Sequence, residues 1–451
     1  MQVGIETYAT KTQGVGGAIR SSPEDFVVQE VLADGSKATV DKIEKKTALG
    51  ATSVRQRFLL CELVKKNWDT FIAIKNVAKE LGIAQSRVQI AGIKDAKAVT
   101  AQHITIEDVS AKEVTNVHIK DIDLRPIGYF QEQLSPFYLL GNDFKININA
   151  IPHSKETIEQ RTKKNMAELA AIGGIPNFYG HQRFGTIRPI THLVGKAIVQ
   201  GKLEEAAMLF LAKPSPHEHP ESRNARIALQ KTQDFKQALQ EFPPQLRFER
   251  IMLTRLKEDP KDFAGAFRRL PLKLRLLFVQ AYQSFLFNRF LSQRIRSNTP
   301  LNQAEPGDFV VNVERSGLPM VRTGKIVDET RLHDINESIR SGRMRIALPI
   351  IGFSQRLSQG QIGEAQHNIL EEEAIIPQNF RTTELPEING RGELRTAISP
   401  IKDFSMGTVS PELGSAEMHR TQMQFTLLRS SYATILLREV MKPKDLIAAG
   451  F

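Results

Sequence analysis

Cysteine is nearly absent: Cys61 is the only one in 451 residues. A single thiol can close no intramolecular disulfide and can build no cysteine-rich metal site. It lies in Phe58-Leu59-Leu60-Cys61-Glu62-Leu63-Val64, which reads as a buried strand, so an inert core thiol is expected rather than a nucleophile. Long apolar runs are missing as well. None reaches the roughly 20 residues that a membrane helix needs. The segment 1–17 lacks the apolar centre of a secretory signal, so no membrane association and a cytoplasmic location are expected. There is no internal repeat and no phosphate-cradling loop; Gly360-x-x-Gly363 is far short of one. His217-Glu218-His219 is the one tempting metal cluster, but its proline-broken surroundings lack the helical spacing of a zinc-protease motif, so no metal is expected.

What is present is an ordinary globular composition, with 41% apolar and 25% charged residues. The length implies two or more domains with ample core. Lysine and arginine number 61 against 50 acids, a net charge of +11. That excess favours a polyanionic partner. It is also uneven. Between 263 and 304 there are seven basic residues (Arg268, Arg269, Lys273, Arg275, Arg289, Arg294, Arg296) and no acid; between 169 and 203 there are four and again no acid.

The stretch Val88–Ile106 is the most informative. Val88, Ile90 and Ile93 lead into Lys94-Asp95-Ala96-Lys97, after which Ile104 and Ile106 alternate as in a half-buried strand. Asp95 is therefore expected in a turn between two strands, where flanking lysines favour its charged form. Upstream, Phe71, Ile74, Val77, Ala78 and Leu81 recur at helical spacing, with Asp69 as N-cap and Gly82 as stop. Ala18–Arg20 reads as a strand start, Ser21-Ser22-Pro23-Glu24-Asp25 as a turn, and Phe26–Val31 as a strand. Phe144, Ile146, Ile148 and Ala150 alternate after Leu140-Gly141-Asn142-Asp143, which reads as a turn before that strand. A helix is expected over 154–172. It is followed by Gly174-Ile175-Pro176-Asn177-Phe178-Tyr179-Gly180-His181-Gln182-Arg183-Phe184-Gly185. Asn, Tyr, Gln and Arg between glycines suit a loop that presents polar and aromatic groups to a flat ligand. Residues 203–270 are helical in tendency between prolines. A long helix follows from Leu272 to Ile295, in which Tyr282, Phe285 and Phe287 read as packing. Residues 305–390 alternate short strands and helices. A strand from Phe425 should end at Ser430-Ser431, where an N-cap starts a helix burying Ile435, Leu436 and Val440.

Several of these segments resemble the signatures of the archaeal-type TruD family of tRNA pseudouridine synthases. They are Arg20-x-x-Pro23-Glu24-Asp25-Phe26, Gly92-Ile93-Lys94-Asp95-Ala96-Lys97-Ala98-Val99-Thr100-Ala101-Gln102, Leu140–Phe144, the 174–185 loop, Ala281–Asn288 and the closing strand and helix. The resemblance implies an α/β (α+β) fold: a pseudouridine-synthase-like catalytic domain with a mixed, largely antiparallel sheet, and an inserted α/β TRUD domain. The catalytic domain would comprise residues 1–200 and 395–451, and the insertion 201–394. Asp95 would be the catalytic nucleophile. Substrate contacts would fall to Arg20, Phe26, Asn177, Tyr179, Arg183 and Tyr432. The family more often has Lys at the Arg20 position and Phe at the Tyr179 position. From the basic stretch, Arg268, Arg269, Lys273 and Arg275 are candidates for RNA binding. The implied reaction is isomerisation of a uridine of tRNA, expected at position 13 of the D arm, and it needs no cofactor. tRNA is the expected partner, and no obligate protein partner is indicated. Two other readings remain: a non-catalytic RNA-binding or tRNA-folding protein, and a pseudouridine synthase acting on another RNA.

Overall fold

The structure, a computed structural model, describes residues 3–42, 47–412 and 415–451. The chain forms two compact units. The first, here the sheet unit, comprises Thr10–Ile175, Arg315–Leu318 and Ser399–Phe451. The second, the helical unit, takes the chain up to Ala9 together with Pro176–Glu314 and Pro319–Ile398. These limits fall at 175/176 and 398/399, where the sequence division stood at 200/201 and 394/395. The reason for the first difference lies in packing. Helix Thr191–Val199 lies against the long helix Leu272–Arg296. Gly195 permits that approach, since a Cβ there would stand 2.0 Å from the Phe278 carbonyl oxygen.

Among the described residues, the sheet unit is built on nine strands. Six come from its N-terminal part: β1 (Phe26–Leu32), β2 (Phe58–Lys66), β3 (Val88–Ile90), β4 (Val99–Glu107), β5 (Ile122–Phe130) and β6 (Leu139–Ile151). The remaining three, Ile401–Met406, Ser410–Glu412 and Ser415–Leu428, come from the C-terminal part. The main path runs from Ile401–Met406 through Ser415–Leu428, β6, β1, β4 and β2 to β5. β1 and β4 are parallel, with Val27 opposite Val99, and the sheet is otherwise largely antiparallel. Helix Thr70–Glu80 covers one face, where Leu59, Cys61, Leu63, Ile74, Val77, Ile104 and Ile106 form a buried cluster. Asp69 caps this helix, accepting from the backbone of Phe71 and Ile72. That cap satisfies two amide groups that have no partner within the helix. The Cys61 thiol is fully buried, and burial pushes its pKa up, which keeps it an unreactive core group.

Three local expectations are corrected. Ala18–Arg20 is no strand start: Ala18 makes an isolated bridge to Asn149, and Arg20 turns into the left-handed region with φ 59°. Gly141-Asn142 is not a turn but lies within β6. Neighbouring strand backbone crowds the glycine, since a Cβ there would stand 2.2 Å from the Leu427 carbonyl oxygen. The last helix, Ala433–Met441, has Tyr432 rather than a serine at its N-cap and makes no side-chain cap there, while Ser431 Oγ is 2.6 Å from Ser399 Oγ. Ile435, Leu436 and Val440 are buried, as their helical spacing requires.

In the helical unit, five helices between Leu203 and Arg268 precede the long helix Leu272–Arg296. Tyr282 and Phe287 on that helix are fully buried, so they pack. A four-stranded antiparallel sheet follows, in the order Glu393–Thr396, Met344–Ile350, Phe309–Val313, Pro319–Ile326.

Candidate active site

Asp95 occupies the loop between β3 and β4, which pair with Val88 opposite Ile106. The loop is held from below by buried groups. Thr70 Oγ1 donates to the Lys94 carbonyl and accepts from the Lys94 amide, both at 3.1 Å. Lys94 points inward, its ammonium 2.6 Å from Glu30 Oε1. Glu30 also accepts from the His103 amide at 2.9 Å and lies 3.2 Å from His103 Nδ1. Burial works to raise the Glu30 carboxyl, but Lys94 and His103 together outweigh it and hold its pKa below the ordinary value. Lys94 thus serves a buried pair beneath the loop and does not flank Asp95 as the sequence suggested; Lys97 is exposed.

Asp95 itself points outward. Arg20 Nη2 stands 2.9 Å from its Oδ1, with side-chain exposures of 12% for Arg20 and 33% for Asp95. The carboxylate is therefore held yet reachable. Arg20 is itself fixed three ways. Its guanidinium lies 4.0 Å above the centre of the Phe26 ring, its Nη1 donates to the Gly450 carbonyl at 3.2 Å, and its backbone takes the left-handed turn. Burial pulls its pKa down, while Asp95 works in the other direction. An arginine nonetheless stays cationic in proteins. Phe26 is buried and meets Phe144 edge-on, and Phe144 stacks on Phe425, so the platform under Arg20 rests on the sheet core. Tyr432 lies half-buried in the turn before the last helix of the same unit.

One group at this site has no signal in the sequence. Lys65, at the end of β2, is fully buried, and its Nζ donates to the backbone carbonyls of Asp95 at 2.7 Å and Trp68 at 2.8 Å. Lys65-Lys66 at a strand terminus reads as a solvated pair.

The helical unit gathers the other predicted residues. Asn177 is buried. It receives two hydrogen bonds from Arg395, Nε to its carbonyl at 2.9 Å and Nη2 to its Oδ1 at 2.7 Å, and donates from Nδ2 to Thr396 Oγ1 at 3.1 Å. The Arg395 guanidinium also lies 4.1 Å above the Tyr179 ring, which meets Phe287 edge-on with centres 5.6 Å apart. The backbone of Tyr179 is clamped by Asn288, which accepts from its amide at 2.8 Å and donates to its carbonyl at 3.0 Å. Phe178 and Phe184 anchor the loop in the core. Arg183 reaches Ser284 Oγ at 3.3 Å and Gln280 Oε1 at 3.1 Å. Tyr179 and Arg183 line a polar cavity of about 300 Å³ together with Gln283, Asn389 and Arg391. Arg395 and Asn288 both come from far along the chain, and nothing local to the 174–185 loop points to either.

The basic stretch is not acid-free in space. Arg275 and Arg268 both face Glu387, the former in close contact and the latter at 4.0 Å. Arg289 binds Glu6, Glu372 and Glu373, and Arg294 binds Asp308 at 2.6 Å. Arg269 and Lys273 are exposed and have no ion-pair partner among the described residues. At His217-Glu218-His219, the Glu218 carboxylate is taken by Arg226 Nε at 2.9 Å and the Ser215 amide at 2.8 Å. No cluster of three metal-competent side chains occurs among the described residues. Among them no helix is long and apolar enough to cross a membrane.

The mixed, largely antiparallel sheet, with a loop carboxylate held by a cation, defines an α+β protein. The profile of the family described as tRNA pseudouridine synthase D (TruD) matches residues 2–440. A probable tRNA pseudouridine synthase D of Methanosarcina mazei is 37% identical over 449 residues, covering 99% of this chain and 98% of the relative. That of Pyrococcus furiosus is 37% identical over 443 residues, covering 98% and 99%. A crystal structure described as tRNA pseudouridine synthase D (TruD) from Methanosarcina mazei superposes with a TM-score of 0.82 at 36% identity, covering 98% of this chain and 97% of that one. The chain belongs to the tRNA pseudouridine synthase D family.

Proposed function

We propose that this protein converts a uridine of tRNA to pseudouridine, at position 13 of the D arm, with Asp95 as the nucleophile. The single observation that carries this reading is the Asp95 carboxylate, held by Arg20 at 2.9 Å and still one-third exposed. The reaction breaks the bond between ribose C1′ and uracil N1, turns the base, and joins C1′ to C5; the C5 proton leaves and N1 gains one. Nothing is oxidised or hydrolysed overall, so no cofactor is required. An ionised carboxylate suits the task, because it can attack carbon or draw a proton without prior activation. Arg20 holds the Asp95 carboxylate in place by a charge-assisted hydrogen bond. The target uridine must leave its stack before a side chain can reach it. Tyr179, stiffened by Arg395, Phe287 and Asn288, offers a preformed aromatic surface that offsets part of that cost, at about 1–3 kcal/mol per base. Residues 1–200 and 395–451 remain the proposed catalytic part, and 201–394 the inserted part, with Arg268, Arg269, Lys273 and Arg275 as candidate phosphate contacts and Phe26, Asn177, Arg183 and Tyr432 shaping the substrate site.

The test is site-resolved pseudouridine mapping on folded tRNA incubated with the purified chain, beside its Asp95→Asn form. A single new pseudouridine at position 13 with the native chain, and none with the variant, is the expected result. Modification elsewhere would move the reading to another uridine or another RNA. Equal modification by Asp95→Asn would remove the nucleophile and favour a protein that only binds RNA.

A further inference from the structure

Asp95 is fixed at its carboxylate by Arg20, but a side chain is aimed by its backbone. The Asp95 peptide lies in a loop rather than in a strand, so its carbonyl has no ladder partner. That carbonyl instead accepts from the Lys65 ammonium at 2.7 Å, and the same ammonium ties the Trp68 carbonyl at 2.8 Å. Lys65 is fully buried on β2, in register opposite Thr100 of β4 and Ile122 of β5. Leu59, Cys61 and Leu63, six, four and two positions before it, face helix Thr70–Glu80. By the two-residue period of a strand, Lys65 occupies the same face, at the end where that helix begins. An apolar residue at 65 would complete the pattern, and a buried ammonium is costly unless it is paired or hydrogen-bonded. The chain tolerates that cost at a strand position from which the side chain reaches the Asp95 carbonyl.

We propose that Lys65 is a positioning residue for the reaction, fixing the Asp95 backbone carbonyl and so aiming the carboxylate at the reacting carbon. The inference rests on the reading of Asp95 as nucleophile. A shift of about 1 Å in a reacting group is enough to cost about 10²-fold in rate. The ammonium also brings a positive charge to the loop, so two cations meet Asp95, Arg20 at its carboxylate and Lys65 at its backbone carbonyl. The charged and titratable groups facing Lys65 are Asp95, Asp69 and Lys94. Burial, aided by Lys94, pulls its pKa down to about 8, against the upward pull of Asp95 and Asp69. Above that pH the neutral amine still donates, but more weakly and without the charge.

The sign of the pH effect sets this role apart from a merely structural one. Between about 8 and its ordinary value of 10.5 the unfolded chain holds the Lys65 proton and the folded chain does not, so this group makes stability rise with pH across that window. Activity is expected to fall across the same window. The experiment uses the full chain and folded tRNA. Lys65→Met should lower kcat about 10²-fold while KM stays within about threefold, because the loss acts on aim and not on binding. In the native protein the alkaline limb of kcat/KM, which reports the free enzyme, should coincide with the titration of Lys65 Nζ followed by NMR of lysine-labelled protein. A folded Lys65→Met with kcat within threefold of native overturns the proposal. If that variant does not fold, a native kcat/KM that stays flat while Lys65 titrates overturns it equally. Asp95→Asn is assayed in parallel. If that variant turns over normally, the nucleophile reading itself has failed; if it is dead while Lys65→Met is normal, only the role of Lys65 has.

Discussion

The two units treat their cations in opposite ways. Around Asp95 in the sheet unit, three cations serve one loop: Arg20 binds the carboxylate, Lys65 the backbone carbonyl, and Lys94 the buried Glu30 underneath. Each is buried or nearly so, and each has a defined acceptor. In the helical unit most cations of the acid-free stretch are shared out among acids that arrive from other parts of the sequence, as Arg275 with Glu387 and Arg294 with Asp308, while Arg269 and Lys273 stay exposed. There the cation over the Tyr179 ring, Arg395, comes from outside that stretch. A count of charges along a sequence therefore says little about which charges are available. A buried cation with a fixed acceptor can support chemistry, an exposed unpaired cation can meet phosphate, and a surface pair contributes little to either.

Breaking the comparison at its strongest point means removing the carboxylate. Asp95→Asn or Asp95→Ala should lower the rate of pseudouridine formation by about 10³-fold or more while the tRNA dissociation constant stays within a few-fold; single-turnover kinetics with a parallel binding assay checks both. Arg20→Ala comes next. It removes a charge-assisted hydrogen bond of about 1.5–3 kcal/mol and leaves Asp95 without its partner, so a loss of roughly 10- to 100-fold is expected. Arg20→Lys should recover part of it, since the charge returns but not the planar fork that lies over Phe26. A full recovery would mean that charge alone matters at this position. Tyr179→Ala should reduce the rate of modification by about 5- to 100-fold through lost stacking, without altering the salt dependence of binding, because no charge is removed.

The smallest effect sharpens the contrast between paired and unpaired cations. Replacing Arg269 and Lys273 by Gln should flatten the slope of log K against log salt by up to about two, near one per lost phosphate contact. Replacing Arg268 and Arg275 should change it less, because Glu387 already balances them. Titration of tRNA binding at several salt concentrations separates the pairs. Equal slopes for the two double variants would mean that RNA displaces Glu387 from its arginines, and that the ion pairs are not a resting arrangement.

Much was determined by the sequence alone, and wherever it succeeded the signal was local. The strand Phe58–Val64, the helix after Asp69, the helix ending at Gly173 and the long helix from Leu272 follow from apolar periodicity, a capping residue or a glycine stop, and all are present. The turn that carries Asp95 between two strands was legible for the same reason. Its neighbours were not. That Lys94 turns inward to Glu30 while Lys65 rises to meet the Asp95 carbonyl depends on which strands pair and on which face of the sheet each residue falls. A lysine looks alike in sequence whether it is solvated or buried. The Gly141-Asn142 step read as a turn because glycine usually marks one; only the closeness of the strand Ser415–Leu428 explains it as a point of contact. Arg395 lies 218 residues from Asn177 and Asn288 lies 109 residues from Tyr179, and no local pattern links them. Local periodicity thus decided the elements and placed Asp95 in a turn between two strands, while the resemblance of the surrounding motif singled that residue out. Tertiary structure decided which groups surround it, because hydrogen bonds and ion pairs depend on distance in space, and folding brings together residues that the chain keeps far apart.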